Sequence, residues 1–265
     1  MRGSWRAVAI RQGKRLVVWL VAALLVVATV AIVVLGTPYE ATDGSIAAVA
    51  EDEGVRVTEV DGSFRIEPAD SDAAAGLVFY PGARVDPGAY VASLAPLARE
   101  ANVTVVIPRM PLNLAIVDYG AARTPLWEDR ASTVVDRNPS IDRWYVGGHS
   151  LGGAMACRYA RGDSDAVEGL VLYAAYCDQG VSDSGLAVLS VVGDGDTVLN
   201  WAAYERNQAN LPASATVAEL PGLNHTQFGS YTGQRGDAPT GTGYGTAHER
   251  LNEVAVAWFE NQTAG

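Results

Sequence analysis

The stretch Arg143-Trp144-Tyr145-Val146-Gly147-Gly148-His149-Ser150-Leu151-Gly152-Gly153-Ala154-Met155-Ala156 decides how this chain is read. Arg143 to Gly147 is a short apolar run with aromatic and β-branched residues and predicts a buried strand. Leu151 to Ala160 continues with small and apolar residues and predicts a helix. Between them lies Gly148-His149-Ser150-Leu151-Gly152, the pattern G-x-S-x-G at a strand-to-helix turn. A residue on so tight a turn takes strained backbone angles, and its neighbours must be small. The serine hydroxyl then projects above the strand's end, beside a helix N-terminus whose free N–H groups can hold an oxyanion. The pentapeptide alone is a weak signal. Its place between a strand and a helix, and the residues downstream, give it weight.

The flanking sequence alternates in the same way. Val55 to Val60 and Phe64 to Glu67 are short alternating runs around Asp61-Gly62, a hairpin signal. Leu77 to Tyr80 is a continuous apolar run that stops at Pro81, and Val103 to Ile107 is another buried-type strand, ending at Pro108. Tyr90 to Ala101 has helical spacing, and Pro125 to Val135 is read as a further helix. Leu170 to Ala174, Leu186 to Val192 and Thr216 to Leu220 complete the strands, and Ala247 to Glu260 closes the chain as an amphipathic helix. An antiparallel start followed by strand–helix alternation predicts an α/β fold, a mostly parallel sheet with helices on both faces.

A serine nucleophile needs a base, and the chain has three histidines. His149 adjoins the serine and is expected to point away from its hydroxyl. His248 begins the last helix, where an exposed surface residue is expected. His225 follows the strand Thr216 to Leu220, in Pro221-Gly222-Leu223-Asn224-His225. Catalytic groups collect in loops past the carboxyl ends of such strands. An acid that orients this base is expected after the preceding strand, where Gly193-Asp194-Gly195-Asp196-Thr197 offers two aspartates. The order would be Ser, Asp, His.

With these stretches in place the chain resembles the α/β-hydrolase superfamily, and within it the small bacterial and archaeal hydrolases of the dienelactone-hydrolase-like kind, often tied to a membrane. The resemblance rests on Phe79-Tyr80-Pro81-Gly82-Ala83, residues 108–115, residues 147–156 and residues 222–229, and spans residues 55 to 260. It implies that the turn after the third strand supplies an oxyanion N–H. The family's His-Gly-x element corresponds to Pro81-Gly82-Ala83, which makes Ala83 one donor; Leu151, after the nucleophile, is the other. The family's acid usually stands three residues past a glycine, which Asp196 does relative to Gly193. Asp194 should cap its turn or face solvent, while Gly195 should let the chain fold back so that Asp196 reaches the His225 loop. The implied activity is hydrolysis of a carboxylic ester or related acyl bond, a lactone or thioester included, by Ser150, His225 and Asp196, with no metal or organic cofactor. Tyr80, Met110, Asn113 and Tyr176 are candidates for lining the pocket, and a small-molecule acyl substrate is the expected partner. The alternative is a non-catalytic, membrane-tethered binding protein on the same fold.

The N-terminus has a different composition. Arg2, Arg6, Arg11, Lys14 and Arg15 precede Leu16 to Leu35, twenty residues without a charge. As a helix this run spans about 30 Å, the thickness of a hydrocarbon core. We expect a basic cytoplasmic tail (1–15), a transmembrane signal anchor (16–35), a linker (36–50) broken by Pro38 and Gly44, and a hydrolase domain (51–265) on the outer side of the cell membrane. The chain carries 19 Lys+Arg against 30 Asp+Glu. Without the five tail cations the remainder is at −16, which excludes a general nucleic-acid binder. Lys14 is the only lysine. This composition resembles that of an extreme halophile, and the outer part should gain stability between about 0.1 and 2 M salt as carboxylate repulsion is screened. Cys157 and Cys177 are expected to be free, packed thiols, because about 10 Å of helix separates Cys157 from the serine turn. Of the triplets Asn102-Val103-Thr104, Asn224-His225-Thr226 and Asn261-Gln262-Thr263, only the last should be exposed.

Overall fold

The computed structural model describes residues 2–121, 129–162 and 166–264. They form two units, Met1–Thr37 and Pro38–Gly265. The first is one helix, α1, Arg2–Gly36. Its part from Arg11 to Gly36 is long and apolar enough to cross a membrane.

The second unit is built on eight strands: β1 Val55–Val60, β2 Ser63–Pro68, β3 Ala75–Tyr80, β4 Val103–Ile107, β5 Trp144–His149, β6 Gly169–Tyr173, β7 Ala187–Gly193 and β8 Thr216–Leu220. They lie in the order β1-β2-β4-β3-β5-β6-β7-β8. β1 and β2 pair antiparallel, as does β2 with β4, and every later pair is parallel. β3, β4, β5 and β6 are buried along their whole length. That is why their sequences are near-continuous apolar runs rather than alternations.

The strand pleat divides these residues between two cores. Leu77, Phe79, Tyr145, Val171, Tyr173, Leu189 and Val191 pack with α3 (Val91–Ala101) and α8 (Tyr244–Thr263) on one face. Val78, Tyr80, Trp144, Val146, Leu170, Leu172 and Val188 pack with α6 (Leu151–Gly162) on the other. α8 is locked down by Tyr145, whose ring meets Trp258 and Phe259 edge-on, and by Asn252 Nδ2, which donates to Ser93 O at 3.0 Å.

Two expectations differ in detail. The segment 36–50 is folded onto the second unit from Tyr39 onward. Tyr39 N–H donates to Arg84 O at 2.6 Å, Thr42 N–H to Ser230 O at 2.7 Å, and Ser45–Ala50 forms a short helix, α2, that buries Val49. Its polar composition hid this because the attachment runs through backbone groups. The helix read from Pro125 to Val135 is Arg130–Asp136, α5, capped by the Asp129 side chain on Ala131 N–H. Residues 125–128 lie outside the described residues. Two further helices of seven residues lie among the described residues, α4 (Ala115–Ala121) and α7 (Trp201–Asn207).

Candidate active site

Parallel pairing brings the carboxyl ends of β3, β5, β6, β7 and β8 to one edge. Tyr80 stands opposite Gly148, His149 opposite Tyr173, and Gly193 opposite Leu220. Ser150 follows β5 directly and has φ 54°, the left-handed conformation that a side chain rarely takes. Its N–H donates to Tyr173 O at 2.9 Å, which fixes the turn to β6. The glycines make the turn possible by what they lack. A Cβ on Gly152 would sit 2.1 Å from Tyr80 O, and one on Gly148 would sit 2.5 Å from the Gly152 carbonyl carbon. The start of α6 and the loop after β3 therefore touch through bare backbone.

His225 opens a short 3-10 turn, His225–Phe228, after β8. The turn is held from both sides. Asn224 and Gln227 cap it reciprocally, and Asp237 accepts the His225 N–H at 3.1 Å and the Thr226 N–H at 3.0 Å. The imidazole is buried, and its Nδ1 lies 2.6 Å from Asp196 Oδ2. The other carboxylate oxygen, Oδ1, accepts from Val198 N–H and Leu199 N–H, each at 2.8 Å. With three bonds converging on it Asp196 is an acceptor, so Nδ1 is the donor and Nε2 carries the free lone pair. Nε2 is buried with no hydrogen-bond partner among the described residues. Asp194 is exposed and caps the next loop instead, accepting Gly222 N–H at 2.6 Å. Gly195 is needed for room rather than for flexibility, since a Cβ there would meet Thr240 Cγ2 at 2.3 Å.

Ser150, Leu151 and His225 share a cleft of about 380 Å³, walled by Ile116, Met155, Ala175, Tyr176, Val198 and Leu199, among others. Of the four residues considered for lining it, Tyr176 does so. The others have different places. Tyr80 is buried and its hydroxyl donates to Asp129 Oδ1 at 2.9 Å. Met110 packs in the core of the α6 face. Asn113 is buried and offers its backbone carbonyl to Arg84 N–H at 2.7 Å. Leu151 opens α6, where the first N–H groups have no intrahelical acceptor. In the loop after β3 the neighbouring amides are committed: Gly82 N–H to Tyr90 Oη, Arg84 N–H to Asn113 O and Val85 N–H to Gly82 O. Ala83 N–H has no such acceptor among the described residues.

Two further expectations are corrected. Cys157 and Cys177 form a disulfide with their Cα atoms 5.5 Å apart. The chain leaving β6 does not stay at the sheet's rim but runs down beside α6. Asp178 pairs there with Arg158, and Gln179 Oε1 accepts from Arg161. His248 is half-buried rather than exposed. Its Nε2 lies 2.9 Å from Gly229 O, and burial lowers its pKa below the usual histidine range. His149 is fully buried beside the site, its ring centroid 4.4 Å from that of His225. Burial, and then the nearness of the second imidazole of His225, hold its pKa well below the usual range. Sequence reading missed Tyr90 and Asp237. Tyr90 looked like one more core aromatic, and Asp237 stands in a Gly-, Pro- and Thr-rich stretch without regular structure. Among the described residues no three His, Cys, Asp or Glu side chains converge as metal ligands.

A family model described as alpha/beta hydrolase family matches residues 76–245. The chain belongs to that family, and its fold is that of a hydrolase. No curated protein gives a significant sequence match. Among solved structures the chain is similar to MGS-MChE2, an alpha/beta hydrolase enzyme from a sediment metagenome of the lagoon of Mar Chica, Morocco. The TM-score is 0.53 at 14% identity, covering 78% of this chain and 99% of that one. It is likewise similar to Est1E from Butyrivibrio proteoclasticus, with a TM-score of 0.52 at 13% identity, covering 77% and 98%.

Proposed function

We propose that this hydrolase is a serine hydrolase acting on a carboxylic ester or related acyl bond. The observation that carries the reading is the buried His225–Asp196 pair at 2.6 Å, opening on the cleft where Ser150 stands at φ 54°. Ser150 Oγ attacks the carbonyl carbon while His225 Nε2 takes its proton. Asp196 fixes the tautomer that leaves Nε2 free and stabilises the imidazolium. The tetrahedral oxyanion is held by Ala83 N–H and Leu151 N–H, each worth about 2.7–4 kcal/mol to the transition state. Collapse expels the alcohol, which leaves with the proton from Nε2. Water, deprotonated by the same nitrogen, then attacks the acyl-enzyme and releases the acid.

The cleft walls are mostly apolar and enclose about 380 Å³, which favours a short to medium acyl chain. Each methylene that enters should add about 0.8 kcal/mol until the cleft is full. The full chain in detergent is expected to bind a fluorophosphonate probe covalently at Ser150 and to hydrolyse p-nitrophenyl esters, with kcat/KM rising and then falling as the acyl chain lengthens. An active Ser150→Ala variant would overturn the reading.

We further infer that α1 anchors this unit on the outer side of the membrane. The five N-terminal cations favour the cytoplasm, and a disulfide persists in oxidising compartments. Protease added to intact cells should reach the second unit while the N-terminal tail stays protected.

A further inference from the structure

His149 and Tyr90 play no part in the proton transfers above, yet they lie between the two halves of the site. Tyr90 Oη is 2.9 Å from His149 Nδ1 and accepts the Gly82 N–H, also at 2.9 Å. All three residues are buried. Burial raises the Tyr90 pKa far above its ordinary value, so the hydroxyl keeps its proton. With Gly82 as its donor, that proton goes to His149 Nδ1. Burial keeps the His149 ring neutral, and its Nε2–H tautomer leaves Nδ1 the lone pair to receive that proton. The chain is thus directional: Gly82 N–H to Tyr90 oxygen, Tyr90 O–H to His149.

Gly82 matters because of its carbonyl. That carbonyl belongs to the same peptide plane as Ala83 N–H, and in a trans peptide the two point in opposite directions. Val85 N–H donates to this carbonyl at 3.1 Å, and Arg84 N–H is held by Asn113 O at 2.7 Å. The Ala83 amide therefore sits between Gly82, tied on its amide side to Tyr90, and Arg84, tied to Asn113. A Cβ on Gly82 would come within 2.8 Å of His149 Nδ1 and 3.1 Å of Tyr90 Oη, so the contact requires glycine.

We propose that Tyr90 and His149 are positioning residues that set the direction of the Ala83 N–H, and so tie the oxyanion loop to the strand that carries the nucleophile. This rests on the reading of Ser150 as nucleophile and Ala83 as oxyanion donor. The same hydrogen-bond chain passes beside His225, whose ring contacts that of His149, so the oxyanion donor and the base share one buried support.

The test uses the full chain in detergent, with Tyr90→Phe, His149→Asn and His149→Leu. Asn can present an oxygen near the place of Nδ1, whereas Leu cannot. Tyr90→Phe and His149→Leu should lower kcat about tenfold to hundredfold with KM little changed, the scale of a misplaced oxyanion donor. Affinity for a boronic acid, which forms a tetrahedral adduct on the serine, should fall by a similar factor. His149→Asn should recover most of the loss. Unchanged kcat and boronate affinity in folded Tyr90→Phe would overturn the proposal, as would equal losses in the Asn and Leu variants. Should Tyr90→Phe fail to fold, the Asn and Leu pair decides. An active Ser150→Ala control would instead overturn the underlying reading of the nucleophile.

Discussion

The two halves of the site are placed by opposite means. The Ser150 side is a matter of vacancy: Gly148, Gly152 and Gly153 stand where a single Cβ would strike backbone or a neighbouring side chain at 2.5 Å or less. The His225–Asp196 side is a matter of bonding. Asp196 takes two backbone N–H groups and the imidazole, and Asp237 takes two more. Sterically placed groups fail abruptly when volume is added, because close-packed backbone has nowhere to go. Groups placed by hydrogen bonds fail by degrees, one partner at a time.

The largest effect should come from the one hydrogen bond that also sets chemistry. Asp196→Asn should lower turnover by up to about 10⁴, through the wrong His225 tautomer, while Asp194→Asn stays within about tenfold. The comparison is a kcat measurement on folded variants, and the reverse ranking would mean that the wrong carboxylate was assigned. On the steric side, Gly152→Ala should lose about a hundredfold or more in kcat together with roughly 1–3 kcal/mol of stability, read by urea unfolding. Retention of both would dissolve the contrast between the halves. Asp237→Asn keeps one acceptor of two, so a loss of about threefold to tenfold in kcat and roughly 1 kcal/mol is expected. The smallest effect is on stability against pH. Native His149 is held neutral by burial, while in the unfolded chain it takes up a proton near pH 6.5. Its contribution is therefore complete above about pH 6.5 and is lost as pH falls. The Tm advantage of the native protein over His149→Asn should shrink between about pH 7.5 and 5, and a constant difference would count against a buried neutral ring.

The steric half was the more legible in sequence, and the contrast explains why. Gly148, Ser150 and Gly152 lie within five residues on one turn, so the pattern that makes the geometry is local. Thr216–Leu220 and Val103–Ile107 were also readable to the residue, because each strand runs directly into a proline, Pro221 and Pro108. The bonded half depends on pairs far apart. His225 meets Asp237 across a stretch without periodicity, and Tyr90 meets His149 across 59 residues of sequence separation. The cysteines were misread for the same reason. Nothing in Tyr176-Cys177-Asp178-Gln179 signals that the chain turns down along α6; the turn shows itself only through Asp178 on Arg158 and Gln179 on Arg161. The attachment of residues 39–42 escaped notice because backbone hydrogen bonds leave no trace in side-chain composition.

The lock between α8 and the sheet bears on how the molecule is made. Tyr145 sits on β5, but its ring partners Trp258 and Phe259 come far later in the chain, on α8. Until they are in place, one whole side of the sheet, with Leu77, Phe79, Tyr145, Val171 and Leu189, has α3 but not α8 to cover it. A nascent chain in this state carries a large sticky surface next to strands that pair slowly, since their partners are distant in sequence. Completion of this face thus waits on α8, and a chain cut ahead of Tyr244 would be a client for chaperones rather than an enzyme.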